Sequence, residues 1–412
     1  MIFKTVSVIG LGYIGLPTAA ILASRGVNVI GVDVNESAVD TINQGNIHIV
    51  EPDLDIIVRA AVQTDQLKAT TIPEAADAFM IAVPTPFKEN HQPDLSYIEA
   101  AAKAIAPVLE KGNLVVLEST SPVGATEKLA TWLADARPDL SFPIDGTEHA
   151  DISIAYCPER VLPGYVLQEL VSNDRVVGGL SNECAQKAVS LYEIFVKGVC
   201  HITNARTAEM AKLTENSFRD VNIAFANELS LICDTLKINV WELIKLSNRH
   251  PRVNILNPGP GVGGHCIAVD PWFIVSSDPE NAKIIRTARE VNDGKPSYVI
   301  DCVKKAADRF KAPIIACLGL SFKADIDDLR ESPAVAIVET LVEEKVGELL
   351  VVEPNVEHLP KSLDGKVKKV DLNVVLKKAD IMLLLVDHKE FKSMDKLQFN
   401  GKVVIDTRGI WE

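Results

Sequence analysis

Three stretches of this chain set residue types at spacings that can do chemistry. The first is PGPGVGGHCIAVDPWF, from Pro258 to Phe273, where Cys266 stands in a glycine-rich run with Asp270 four residues on. A thiol so placed is either a nucleophile or a small buried apolar residue, and the stretch alone leaves both open. His265 suggests a Cys–His pair, but adjacent residues seldom place both side chains on one reacting centre, so it is set aside. Asp270 either orients a base or water, or only caps the following segment. The second stretch is AEMAKLTENSFRDVNIAFANE, in which Lys212, Asn216 and Arg219 fall at i, i+4 and i+7 and share a helical face. Taken alone, such a polar face reads as solvated surface. A lysine beside an amide also suits the holding of a water or hydroxyl during proton transfer.

The third is Gly10-x-Gly12-x-x-Gly15, which follows a strand-like run and opens a helix-like one, with Asp33 ending the next strand-like run. Glycines there permit a tight turn and close approach of a pyrophosphate to helix N–H groups, while the carboxylate binds ribose hydroxyls. Asp33 repels a 2′-phosphate, and Val34, Asn35 and Glu36 follow it where an arginine would serve NADP, so NAD is the expected cofactor. A hydride acceptor gives a cysteine one specific use. Oxidising an aldehyde to an acid requires a tetrahedral adduct, and a thiolate supplies it as a thiohemiacetal.

The elements that must position these groups alternate at first. TVSVIGLG, YIGLPTAAILASRG and VNVIGVDV read as strand, helix and strand, and FMIAVPTP, NLVVLEST and ISIAYCPE continue the strands around helical runs such as YIEAAAKAIAPVL. That interleaving predicts a parallel sheet covered on both faces. From about Thr207 to Asn248 only helix is predicted, with Val221, Phe225, Leu229 and Ile232 at helical spacing, and a second helical run spans roughly Glu280 to Phe310. Alternation then returns in PIIACLGLSF, a helix from Pro333, GELLVVEPN, ADIMLLLVDH and GKVVIDTRG. An apolar helical centre needs a partner face, which predicts a homodimer.

Bulk properties narrow the function. The 412 residues suit two or three domains. A net charge of −14 argues against nucleic acid as a partner, and no apolar run approaches a membrane span or a signal peptide. The seven cysteines are scattered, with no C-x-x-C pair and no Cys/His cluster at zinc spacing, so no metal is expected. Scattered thiols of this kind predict a reducing, cytoplasmic setting.

Further motifs are VPTP at 83–86, ESTSPVGAT at 118–126, CPERVLPG at 157–164 and LSFKADIDDLRESP at 320–333. With them the chain resembles, along essentially its whole length, the nucleotide-sugar 6-dehydrogenases, the UDP-glucose/UDP-mannose dehydrogenase family. CPERVLPG and HPRVNILNPGPGVGGHCIAVDPWF look most like members acting on UDP-N-acetyl-D-mannosamine in cell-surface polysaccharide synthesis of the enterobacterial common antigen type. The resemblance implies an α/β fold of two Rossmann-like doubly wound domains joined by an all-helical dimerisation region. The expected divisions are 1–200 for NAD, 201–310 for the centre and 311–412 for UDP.

It also implies a four-electron oxidation using two NAD, with Cys266 as nucleophile, Lys212 as proton donor and acceptor, and Asn216 assisting. Asp270 and Thr120 would order water, and Glu159 would serve thioester hydrolysis. Tyr13, Ile14, Thr85, Thr126 and Arg330 would join Gly10, Gly12, Gly15 and Asp33 around NAD. Arg160, Val161, Arg219, His250, Gly263 and Lys323 would contact the UDP-sugar, with Arg252 reaching a substrate in the partner subunit. Plainer roles stay open: Thr120 and Thr126 as caps, Arg330 in a surface ion pair. Val269 replaces the lysine that UDP-glucose dehydrogenases commonly carry, and Arg160–Val161 their phenylalanine–leucine pair. Both changes point to an N-acetylated sugar, with UDP-N-acetylglucosamine as the alternative. A two-electron alcohol dehydrogenase and an NAD(H)-sensing binding protein are remoter readings.

Overall fold

The computed structural model describes residues 3–49, 51–88, 91–144, 149–162, 164–264 and 266–411. The chain forms two compact units, Met1–Glu215 and Asn216–Glu412. In the first, eight strands form one sheet: β1 (Thr5–Ile9), β2 (Asn28–Val32), β3 (Leu67–Thr70), β4 (Ala78–Ile81), β5 (Leu114–Leu117), β6 (Ser153–Tyr156), β7 (Arg175–Gly179) and β8 (Cys200–Asn204). Their order is β3-β2-β1-β4-β5-β6-β7-β8. In the second unit β9 (Ile314–Leu318), β10 (Glu348–Val352), β11 (Lys368–Lys369), β12 (Ile381–Leu384) and β13 (Val403–Asp406) are ordered β11-β10-β9-β12-β13.

The central strands of both sheets are buried on both faces, which is why they read as unbroken apolar runs, whereas β3, β8, β11 and β13 are partly exposed. Ala78 and Met80 of β4 enter one core and Phe79 and Ile81 the other; Ile315 and Cys317 of β9 are likewise parted from Ala316 and Leu318. The expectation of a wholly parallel sheet needs one correction. β7 runs antiparallel to β6, pairing Ala155 with Gly179 and Tyr156 with Gly178. Gly178 and Gly179 weaken the strand signal, and close packing explains them: an added Cβ would press on Ala205 and on the Ala185 amide respectively.

In chain order, the helices Ala205–Leu236, Val240–Ser247, Asp270–Ser277 and Lys283–Ala307 follow β8 and precede β9. The first carries its polarity reversed. Glu209, Lys212, Asn216, Asp220 and Asn227 are buried, whereas Phe218, Phe225, Ile232 and Leu236 are 45–68% exposed. The reading of the Lys212–Asn216 face as solvated surface is therefore overturned, while Arg219 does stand in solvent. Burial of Asp220 and Asn227 is tolerable because each bonds within a ladder of buried polar groups. Asp220 pairs with the buried Arg289 at 2.6 Å, Asn292 donates to Asp220 at 2.8 Å, and Asn227 donates to Asn292 at 2.8 Å. Asn227 also accepts the Gly259 amide at 2.8 Å, tying the start of the cysteine loop to this ladder. Among the described residues no helix is long and apolar enough to cross a membrane.

Candidate active site

In the first unit, β1 and β4 are neighbours, so the crevice beyond their C-terminal ends is the switch point at which such sheets bind ligands. The glycine loop fills it. Gly10 has φ +92° and lies against the Ala82 carbonyl, and a Cβ at Gly15 would fall onto the Gly10 carbonyl. Gly12 differs, since a Cβ there meets no protein atom within 4 Å. Protein packing does not require that glycine, and the open space beside it would admit a ligand. The helix Gly15–Ser24 has no side-chain cap; its Leu16 amide donates to the Gly12 carbonyl at 3.1 Å and Pro17 has no N–H, so the positive end of the helix dipole is what it offers a phosphate. Asp33, half-buried, accepts the Leu11 amide at 2.8 Å and the Asn35 amide at 2.9 Å, which aims its carboxylate along the loop. Tyr13 is exposed and Ile14 half-buried at the same turn. These residues fit NAD.

Thr85 and Thr120 follow β4 and β5, and the structure brings them together: the Thr85 hydroxyl donates to the Thr120 carbonyl at 2.5 Å. Thr126 is fully buried, and its hydroxyl and amide both donate to Glu209, at 2.6 and 2.8 Å. Gly124 donates to the same carboxylate at 2.6 Å, so Glu209 caps the helix Ala125–Ala136 from outside, and the Thr126 hydroxyl is a donor to that carboxylate rather than the cap.

Glu159 lies in a buried polar cluster beyond β6. Its carboxylate pairs with Arg175 and accepts the Arg160 amide at 2.7 Å. Arg175 also donates to the Leu170 carbonyl at 2.8 Å. Beside this pair, Glu118 accepts the Tyr192 hydroxyl at 2.6 Å. Burial, reinforced by the Glu159 charge, pushes the Glu118 carboxyl up to about 7 against the pull of Tyr192 and Arg175. Burial likewise pushes the neighbouring Cys157 thiol far up, and the Cys317 thiol to about 12. Arg160 pairs with Glu215 at 2.8 Å, and Val161 packs against the core.

Lys212 and Asn216 stand one turn apart on the buried face of Ala205–Leu236. Among the described residues no carboxylate or hydrogen-bond acceptor meets the Lys212 ammonium, an arrangement suited to a proton carrier rather than a structural ion. Asn216 donates to Asp270 at 2.5 Å. Asp270 is the first residue of the helix Asp270–Ser277, and its amide donates to the Cys266 carbonyl at 2.9 Å. Asn216, Asp270 and the Cys266 turn thus form one bonded series. Cys266 is the exposed thiol of the seven, the others being buried or half-buried. His265 lies outside the described residues.

The glycines of this loop also have a structural reason of their own. A Cβ at Gly263 would strike the Glu331 carbonyl and Pro333, and one at Gly261 would meet Pro333 and Pro296. Gly263 is held by the segment before the helix Pro333–Glu343. From that segment Lys323 projects exposed, and Arg330 is exposed and paired with Asp328 at 2.6 Å. His250 and Arg252 are exposed on a turn in which the Arg252 amide donates to the His250 ring at 3.3 Å. Sequence reasoning missed Arg175, Tyr192, Glu118 and Glu209. No local pattern marks them, because their partners lie 16 to 85 residues away along the chain.

The chain matches three family models in succession. Residues 4–196 match the NAD binding domain of the UDP-glucose/GDP-mannose dehydrogenase family, 206–294 its central domain and 316–412 its UDP binding domain. It is 67% identical over 409 residues to an NDP-N-acetyl-D-galactosaminuronic acid dehydrogenase of Ralstonia nicotianae, covering 99% of this chain and 96% of that one. It is 64% identical over 419 residues to the UDP-N-acetyl-D-mannosamine dehydrogenase of Yersinia pestis, covering all of both chains. Among solved structures, a UDP-D-ManNAc dehydrogenase of Pyrococcus horikoshii superimposes with a TM-score of 0.89 at 40% identity, covering 99% of this chain and 96% of that one.

Proposed function

Because the chain belongs to the UDP-glucose/GDP-mannose dehydrogenase family of NAD-dependent oxidoreductases, we propose that it oxidises UDP-N-acetyl-D-mannosamine at C6 to the uronate, supplying cell-surface polysaccharide synthesis. The buried Asn216, bonded through Asp270 to the turn of the exposed Cys266, with Lys212 one helical turn before it, is the observation that carries the chemistry. Relatives 61–64% identical bear the N-acetylmannosamine name, which supports the sugar. The relatives named for N-acetyl-D-galactosaminuronic acid make an N-acetylgalactosamine nucleotide a second reading.

NAD, when bound, accepts the hydrides, two equivalents for the four electrons. The chain's own residues do the rest. Lys212, as its neutral amine, takes the proton of the C6 hydroxyl on Nζ, and the ammonium so formed steadies the oxygen charge. Cys266 Sγ adds to the aldehyde carbon and holds it as a thiohemiacetal, whose oxidation leaves a thioester. Asn216 and Asp270 order the attacking water with Thr120, and Glu159 serves hydrolysis of the thioester. Tyr13, Ile14, Asp33, Thr85 and Arg330 contact the cofactor; Arg160, Val161, Arg219, His250, Gly263 and Lys323 contact the UDP-sugar. A second copy covers Phe218, Phe225 and Ile232 and brings Arg252 to its partner's substrate, with domain divisions near residues 200 and 310. The substrate is tested by comparing kcat/KM for the UDP derivatives of N-acetyl-mannosamine, -glucosamine and -galactosamine. A preference for either of the last two contradicts the assignment.

A further inference from the structure

The second sheet repeats the geometry of the first at its switch point, between β9 and β12. Gly319 has φ +89° against +92° at Gly10, and its amide donates to Val352 at 2.9 Å as that of Gly10 does to Val32 at 2.8 Å. Glu353 accepts the amides of Leu320 at 2.6 Å and Asn355 at 3.0 Å, as Asp33 accepts those of Leu11 and Asn35. Two features then diverge. The helix Pro333–Glu343 is capped by Ser332, whereas Gly15–Ser24 is not. Glu353 is 2% exposed, and its second face is occupied by His388, which is wholly buried.

Every polar edge of the His388 ring is engaged. The Asp325 amide donates to Nδ1 at 2.9 Å, and the Asn355 side-chain amide lies 3.0 Å from the same atom. Nδ1 is therefore the acceptor, and the ring hydrogen sits on Nε2, which faces Glu353 at 3.2 Å and the Ser321 hydroxyl at 3.4 Å. Ser321 in turn donates to the Lys323 carbonyl at 2.7 Å, and the Lys389 amide donates to Asp325 at 3.0 Å. Asp325 itself has φ +62°, a conformation that needs outside support in a non-glycine residue. The backbone of Lys323 is thus gripped from beneath on both sides, while its side chain stands exposed.

We propose that His388 is a positioning residue for UDP-sugar binding: seated where the first sheet leaves its acidic residue for a cofactor, it clamps the Ser321–Asp325 loop and so presents Lys323 to the nucleotide. This rests on the reading of Lys323 as a substrate-side cation. His388 touches no reacting atom, so its loss should act on affinity and leave the chemical step alone.

Two isosteric variants divide the clamp. H388N keeps an oxygen at the Nδ1 position for the Asp325 amide, whereas H388Q keeps a donor at the Nε2 position for Glu353 and abandons the loop. Steady-state kinetics of the full-length enzyme with UDP-N-acetyl-D-mannosamine should show KM for the sugar raised about five- to tenfold in H388Q, the scale of one lost hydrogen bond. The kcat and the KM for NAD should hold, and H388N should recover most of the affinity. K323M should raise the same KM, and H388Q should add little in a K323M background, because both act through one contact. An unchanged KM in K323M overturns the Lys323 reading and the proposal with it. A raised KM in K323M with none in H388Q overturns the clamp alone. Equal losses of kcat and melting temperature in H388N and H388Q, additive with K323M, would make His388 a packing residue only and also overturn it.

Discussion

Replacing Glu118 with glutamine should change how stability depends on pH more than it changes stability at any one acid pH. Burial and the Glu159 charge raise the Glu118 carboxyl from an ordinary 4.5 to about 7. At about 1.4 kcal/mol per tenfold change in proton affinity, the difference corresponds to about 3 kcal/mol. The folded protein holds this proton more tightly than the unfolded chain, so the stabilisation is complete below about pH 4.5 and is lost as pH rises toward about 7. Glutamine is neutral throughout and keeps an oxygen for the Tyr192 hydroxyl, which lies 2.6 Å from Glu118. Urea midpoints followed by circular dichroism, near pH 4.5 and again above pH 7, should therefore bring E118Q from near parity with wild type to an advantage of about 3 kcal/mol. A difference that does not move with pH would refute the reasoning, as would a variant less stable than wild type above pH 7.

The glycine loop separates folding from binding. G12A should keep the wild-type melting temperature yet raise KM for NAD about tenfold or more, since only a ligand meets its Cβ; G15A should melt lower because it collides with Gly10. R289M strands the fully buried Asp220 carboxylate, whose proton affinity burial already raises, and should cost about 3–5 kcal/mol in urea unfolding, with D220N in the same chain recovering much of it. F225E places a charge in the exposed apolar stripe and should yield monomers in sedimentation velocity where wild type yields dimers; monomeric wild type would contradict the dimer.

What could be read from the sequence was what short-range periodicity encodes. The Gly10–Gly15 turn, Asp33 and the one-turn spacing of Lys212 and Asn216 are local patterns whose geometry follows from helix and strand repeats. The strands buried on both faces announced themselves as apolar runs. Burial of the Lys212 face was not legible, because an amphipathic pattern does not say which side meets the core, and here exposed Phe218 and Phe225 take the side usually buried. Nor was the reason for Gly263, which lies in Glu331 and Pro333, some 70 residues away. β7 escaped because two of its five residues are glycine, and β11 because it is two residues long. The partner of Glu159 escaped because Arg175 reaches it only through the antiparallel return of β7.

The covalent role of Cys266 is tested most directly by counting NADH. With limiting UDP-N-acetyl-D-mannosamine and excess NAD, the reaction should end at two NADH for each sugar consumed, with no free aldehyde at any time and only the uronate as product. One NADH per sugar with aldehyde released would contradict it, and would return Cys266 to an ordinary exposed thiol.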